Sequence, residues 1–409
     1  MSIGLTTPNG WNRLTLGDHA DIIFSNVDKK SYDGQKPVRL CNYTDVYYRD
    51  YIENADGLME STATDLEIKK FSLKKGDVLI TKDSESSDDI GVPALVTRDF
   101  DNVLCGYHLA IIRPTTGGLD GAFISQVFRS YYMRKQLYRE ANGVTRYGLG
   151  VDSLRQLELL APAFPIQLKI RDVLSSWDQA IEKMKSLVTA KSNARRGLMQ
   201  QLLDGNTLWH GSSGTTRRKL HLGDIVAHES RVTMKPKGAF LAAGIRSHGK
   251  GVFLKHDFEA EDIALDELFL LRTNDLVVNI TFGWEGAVAI VPPEADGALV
   301  SHRFPTFIFK QGVSFPGYFR HVIRQKRFVH EMGLASPGGA GRNRVLSKTD
   351  FLRIPIELPA YEEQQRIAEV LNACDREIEL LQKQLEALKE QKLGLMQKLL
   401  TGVVRVKVN

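Results

Sequence analysis

The chain has 409 residues, is 43% hydrophobic and 25% charged, and carries a formal net charge of +5. That length accommodates two domains with full cores, and the composition is that of an ordinary soluble protein. Three scattered cysteines, Cys41, Cys105 and Cys374, exclude a disulfide framework or a cysteine zinc cluster and fit a reducing cytoplasm. No run approaches the roughly 20 apolar residues of a bilayer span, and residues 1–12 lack the features of a signal peptide, so a cytoplasmic location without membrane contact is expected.

Residues 1–161 are expected to form a globule of mixed α and β structure. The runs 77–81 and 109–112 read as strands bounded by Gly, Asp and Pro, and 123–138 reads as a helix. Residues 1–162 carry 19 basic against 22 acidic side chains, so any face for an anionic ligand has to be local. Lys29, Lys30, Arg39, Asn42 and Tyr43 form one loose cluster of basic, amide and aromatic residues. In Gly143-Val-Thr-Arg-Tyr-Gly148 the glycines let backbone approach a ligand, while Arg146 and Tyr147 can address phosphates or base edges. Each cluster is equally at home on a solvated surface. Asp83-Ser-Glu-Ser-Ser-Asp-Asp89 reads as an acidic surface loop, because spacing places no further metal ligand beside it.

Residues 162–206 read as a helical spacer. Pro162 and Pro165 precede its start, and Gly205 is a suitable stop. Ile170, Leu174, Trp177, Ile181, Met184 and Val188 step by four and three, the seam of a coiled coil. A helix over 166–203 would be about 55 Å long. Lys191 and Arg195 interrupt the seam, either packing their aliphatic stems with the charge in water or setting the register.

Residues 207–358 form a second mixed globule, with strands at 276–279 and 288–291 and a helix at 318–332. Residues 207–359 hold 20 basic against 15 acidic side chains. Arg231, Lys235, Lys237, Arg246 and Lys250 are its scattered basic candidates. Gly338-Gly-Ala-Gly-Arg-Asn-Arg344 supplies Arg342, Asn343 and Arg344 just before the next helix. Residues 359–409 are a second helical spacer and tail, with Ile367, Leu371, Cys374, Ile378, Leu381, Leu385, Leu388, Leu395 and Leu399 on the seam and Lys392 interrupting it.

The chain repeats itself. Gly197-Leu-Met-Gln-Gln-Leu-Leu-Asp-Gly205 recurs as Gly394-Leu-Met-Gln-Lys-Leu-Leu-Thr-Gly402, an offset of 197. The register runs back unbroken through Ile181 and Ile378, Asp178 and Asp375, Leu174 and Leu371, and Gln167 and Gln364. The globules repeat more faintly: Leu14-Thr-Leu-Gly-Asp18 resembles Leu220-His-Leu-Gly-Asp224, and Gly76-Asp-Val-Leu-Ile-Thr81 resembles Asn274-Asp-Leu-Val-Val-Asn279. A tandem duplication of one globule and one helix explains both levels. With only a short link after Gly205, the helices are expected to pair antiparallel, giving a pseudo-twofold arrangement of two α+β globules. Two similar heads at a fixed separation suit a ligand that repeats along its length, with DNA the leading candidate. No phosphate-binding loop, nucleophile elbow or His-Glu-x-x-His pair is present, so no active site is expected.

This order, the helical repeats, and Glu362-Glu-Gln-Gln-Arg-Ile367 followed by Leu395-Met-Gln-Lys-Leu-Leu-Thr-Gly402 resemble the specificity subunits of Type I restriction–modification systems over nearly the full length. The resemblance implies that the globules are target recognition domains, each reading half of a split sequence in double-stranded DNA. It implies that the helices dock two modification (methyltransferase) subunits, through Leu198, Met199, Leu202, Leu203, Leu395, Met396, Leu399 and Leu400. It also implies that this chain binds no cofactor: S-adenosylmethionine, ATP and Mg would serve the modification and restriction (translocase/endonuclease) subunits. The first repeat departs from the pattern, with Phe164-Pro-Ile-Gln167 against Tyr361-Glu-Glu-Gln364. The competing reading is a structural scaffold whose duplicated globules bind protein or glycan.

Overall fold

The computed structural model describes residues 6–115, 117–204, 217–339 and 344–407. The chain divides into two compact units, one of residues 1–185 with 383–409 and one of residues 186–382. The two long helices, Phe164–Asp204 and Tyr361–Leu400, each contribute one part to each unit. The sequence had suggested helical blocks at 162–206 and 359–409 beside the globules. Here each globule completes its core with two helix segments that lie far apart in the chain.

In unit 1 a five-stranded sheet runs in the order Ala20–Phe24, Leu109–Pro114, Val78–Thr81, Pro93–Val96, Tyr51–Ile52, antiparallel except for its last pair. Alternate residues of its central strands enter different cores. Val78, Ile80, Ala110 and Ile112 face the helical side, while Leu79, Leu109, Ile111, Ala94 and Val96 face the other. Cover on both faces explains the continuous apolar runs legible at 77–81 and 109–112. A smaller sheet joins Lys36–Cys41 to Met59–Ala63 and, in parallel, to Val103–Cys105.

Unit 2 repeats the plan. Its four-stranded sheet runs Val226–Glu229, Thr306–Phe309, Leu276–Val278, Val288–Ile290. Leu276, Val278, Val288 and Ile290 enter one core, and Val277, Ala289 and Val291 another. A five-stranded sheet carries the hairpin Phe240–Ile245 and Val252–Phe258, with Leu299–Val300 parallel to its first strand.

The single helices expected at 123–138 and 318–332 are each two helices. Gly121–Arg129 stops at Ser130, whose extended backbone breaks the helix and whose hydroxyl then caps Tyr131–Glu140 by accepting from Met133 N. In unit 2, Gln325 makes the equivalent break between Pro316–Val322 and Lys326–Leu334. The apolar periodicity runs through both breaks and hides them.

Each long helix is seated on its globule by one buried amide. Gln167 Oε1 accepts from Asp120 N at 3.0 Å, and its Nε2 donates to the carbonyls of Gly118 and Pro162. Gln364 does the same with Phe315 N, Val313 O and Pro359 O. Within each unit the two helix segments run antiparallel. In unit 1, Ile170 and Leu174 share a core with Met396, Leu399 and Leu400, and Lys392 Nζ donates to Asp178. In unit 2, Leu202 and Leu203 share a core with Ile367 and Leu371. There Arg195 binds Asp375 through Nε at 2.7 Å and Nη2 at 3.0 Å, and Lys191 lies 2.7 Å from Glu377. The seam cations are therefore all paired, Lys392 and Arg195 nearly buried and Lys191 still 42% exposed. This geometry favours the register role over simple stem packing.

Candidate nucleic-acid interface

Each unit carries a surface cleft at the same point of its fold. It forms where the loop after a central strand meets the loop that follows the helix pair. Leu149 N donates to Lys82 O at 2.9 Å in unit 1, and Leu346 N to Ile280 O at 2.9 Å in unit 2. These matched bonds place the loops that carry Arg146 and Arg344 at corresponding points of the two units. Gly91 and Gly286, both at φ +72°, close the first of these loops against Leu137 and Val329 on the second helix of each pair.

The unit 1 cleft is aromatic and of mixed charge. It is lined by Tyr43, Tyr47, Tyr48, Asp83, His108 and Arg146, among others. Asn42 is buried and caps the short helix Tyr43–Tyr47 through a reciprocal capping box with Asp45. That cap presents Tyr43 stacked on Tyr47, with ring centroids 5.5 Å apart. Tyr47 Oη donates to Asp89, and this bond, with the carboxylate's charge, pushes the phenol up to about 12. Asp83 is 2.9 Å from His108 Nδ1, and Lys82 lies 4.7 Å from the centre of the Tyr107 ring. Tyr147 pairs with Ser84 in a two-residue ladder, so it lays the Arg146 loop across Asp83 and Ser84. The stretch 83–89, expected to be solvated, supplies a wall of the cleft.

The unit 2 cleft is basic. His248, Trp284, Arg324, Lys326, His330 and Arg344 line it together with Val329, Gly333 and Leu334. The tip of the 240–258 hairpin reaches it through His248 and Gly249, both at φ +62°, whose amides donate to Glu285 O and Gly286 O at 2.8 and 2.9 Å. Arg246 and Lys250 are exposed on this tip, with the Arg246 guanidinium 5.4 Å from the Phe253 ring centre. Arg324 Nε donates to Gly249 O at 3.4 Å. The Arg344 guanidinium lies 5.7 Å from the Trp284 ring and donates to Gly333 O at 2.9 Å.

The structure thus gathers Tyr43, Arg146 and Tyr147 in one unit and Arg246, Lys250 and Arg344 in the other. It does not gather the remaining candidates. Lys29 and Lys30 are exposed on the loop before Lys36–Cys41. Arg39 is held by Ala55 O at 2.8 Å and faces Glu60. Arg231 pairs at 2.6 Å with the buried carboxylate of Asp275, and this pair braces the fold as Arg113 and Asp77 do in unit 1. Lys235 Nζ donates to Ile263 O, and Lys237 is exposed nearby. Arg342 and Asn343 lie outside the described residues.

Residue-type reasoning missed Trp284, His248, Arg324, Lys326 and His330. His248 had a local signal, since Ser-His-Gly lies between the two basic candidates Arg246 and Lys250. Trp284 had none, because its neighbour Arg344 comes from a distant loop.

The residues expected to dock partners also pack within this chain. Leu202, Leu203, Met396, Leu399 and Leu400 are 0–5% exposed, and Leu198, Met199 and Leu395 pack against the same cores. These side chains thus contribute to the cores of their own units, with Leu198, Met199 and Leu395 still partly exposed. Among the described residues there is no cluster of His, Cys, Asp and Glu able to hold a metal, and no helix is long and apolar enough to cross a membrane.

Residues 259–390 match the family model described as the Type I restriction modification DNA specificity domain. In Methanocaldococcus jannaschii the chain is 21% identical over 434 residues to the type I restriction enzyme MjaVIII specificity subunit, covering 99% of this chain and 95% of the relative. It is 23% identical to a protein provisionally named the MjaX specificity subunit, covering 83% of this chain and 81% of that one. The fold is shared with the S subunit of a Type I system from M. genitalium (TM-score 0.57, 13% identity, 100% of this chain and 98% of that one). It is also shared with the HsdS subunit of Thermoanaerobacter tengcongensis (TM-score 0.50, 15% identity, 99% and 100%).

Proposed function

We propose that the chain is a specificity subunit of a Type I restriction–modification system, as the proteins it resembles are named, and that its two clefts read the two halves of a split DNA target. It is the non-catalytic, sequence-reading component. S-adenosylmethionine would be used by two modification subunits docked on it, and ATP and Mg by the restriction subunits. With the seam leucines buried, docking falls to the outward faces of the long helices, where Leu187, Leu380 and Leu393 are 41%, 60% and 53% exposed.

The observation that carries this reading is the pairing of a repeated frame with divergent linings. Arg146 and Arg344 stand on corresponding loops of the two units, yet carboxylates and tyrosines surround the first while histidines, lysine and tryptophan surround the second. A duplicated scaffold that keeps its backbone and varies its donors and acceptors is suited to reading two unlike base sequences.

The test is methylation of a random DNA library by this chain co-expressed with its modification subunit, read by sequencing the modified bases. The expected result is a split motif with a fixed gap, lost when the chain is omitted. Methylation independent of this chain would refute the reading and favour a scaffold.

A further inference from the structure

Arg344 lines the unit 2 cleft with one edge of its planar fork already committed. Nε donates to Ser336 O at 3.3 Å and Nη2 to Gly333 O at 2.9 Å. Those two N–H groups form the side edge of the guanidinium. The end edge, Nη1 with the outer N–H of Nη2, has no partner among the described residues. Two main-chain carbonyls and the Trp284 ring therefore fix the fork before any ligand arrives, and little side-chain freedom remains to be lost on binding.

Two parallel donors in a fixed plane match the O6 and N7 acceptors that guanine presents in the major groove. A phosphate would accept the same pair, but phosphates need charge more than aim. Exposed Lys326, Lys250 and Arg246 already supply charge on flexible stems around this cleft. Arg146, on the corresponding loop of unit 1, is exposed and makes no hydrogen bond among the described residues, so the same assignment does not extend to it.

We infer that Arg344 is a specificity residue that reads the O6/N7 edge of one guanine in the half-site bound by unit 2. This inference rests on the DNA-recognition reading above.

The experiment uses the full chain assembled with its modification subunits, as the parent and as R344K. Binding is measured on target duplexes in which each guanine of both half-sites is replaced in turn by 7-deazaguanine, which lacks the N7 acceptor. The parent is expected to lose about 10-fold in affinity at one guanine of one half-site. R344K should lose a similar factor on the natural duplex and nothing further from that replacement. Lysine keeps the charge but not the fork. If R344K binds the natural target like the parent and still shows the full loss at every sensitive guanine, the inference is overturned. Should R344K fail to assemble, the parent's scan decides alone: no 7-deaza-sensitive guanine in either half-site overturns it. A parent complex without sequence-dependent methylation would overturn the DNA reading, and this inference with it.

Discussion

Lys392 donates its ammonium to the carboxylate of Asp178, and both groups are nearly buried, with side chains 13% and 8% exposed. Asp178 also accepts from Tyr51 Oη at 2.7 Å and Gln126 Nε2 at 3.0 Å, so one carboxylate ties both helix segments to the globule. Asp375 and Arg195 repeat the pair 197 and 17 residues from Asp178 respectively, on exchanged helices. Removing one partner strands a buried charge. Lys392→Leu is expected to cost about 3–5 kcal/mol in urea unfolding, and adding Asp178→Leu should restore most of it. Equal losses in the single and double variants would show that the pair does not set the helix register.

Loss of the Gln364 amide takes a partner from three backbone groups, the buried Pro359 O and the part-buried Phe315 N and Val313 O. Gln364→Leu is expected to destabilise unit 2 by at least about 1–3 kcal/mol, the cost of one unsatisfied buried polar group. Thermal or urea unfolding measures it, and a change below about 0.5 kcal/mol would remove the amide clamp as a fold determinant.

His321 is fully buried, accepting from Arg195 at Nδ1 and facing Asn372 Oδ1 with Nε2. Burial, opposed by nearby Asp375 and reinforced by Arg195 and Arg324, lowers its pKa from 6.5 to about 4. The folded state thus binds this proton less readily than the unfolded chain. Stability from this group is complete above pH 6.5 and falls as pH drops towards 4, by about 2–3 kcal/mol at the lower end. His321→Gln should flatten the stability profile across that window; an unchanged slope would mean other groups set it.

Gly91 sits at φ +72°, and a Cβ there would approach Leu137 Cδ1 to 2.7 Å. Gly91→Ala is expected to cost about 1–2 kcal/mol in backbone strain, with repacking in addition. Chemical denaturation provides the check, and a neutral substitution would show that the loop closes in another way.

Arg246 and Lys250 are exposed at the hairpin tip. If they meet phosphates, Lys250→Ala in the assembled complex should weaken binding to all target variants alike and reduce the slope of log affinity against log salt by about 1. A change confined to one base position would instead make Lys250 a reader.

The duplication, the strands and the helix seam were legible because burial imposes periodicity, and periodicity survives in sequence. The strand Val78–Thr81 is apolar at three successive residues, 78–80, because both faces of its sheet are covered. The same signal is ambiguous where one residue type serves two ends. Leucines 395–400 look alike whether they meet a partner or, as here, Ile170 and Leu174. Ser130 could not be told from a helical serine until its cap bond to Met133 was visible. The clefts were only half legible, since Arg246, Lys250 and Arg344 advertise themselves by type. Their meeting with Trp284 and His248 depends on loop closure between distant segments.

Unit 2 is one uninterrupted stretch, whereas unit 1 needs both ends of the chain. During synthesis the residues of the first globule leave the ribosome before those of the second. Yet Met396, Leu399 and Leu400, which fill the first globule's core beside Leu174, emerge after all of the second globule. The half that is made first is therefore finished last. A nascent chain paused after residue 382 would hold a closed second globule and a first one with its apolar floor bare, the species most exposed to aggregation or to capture by a chaperone.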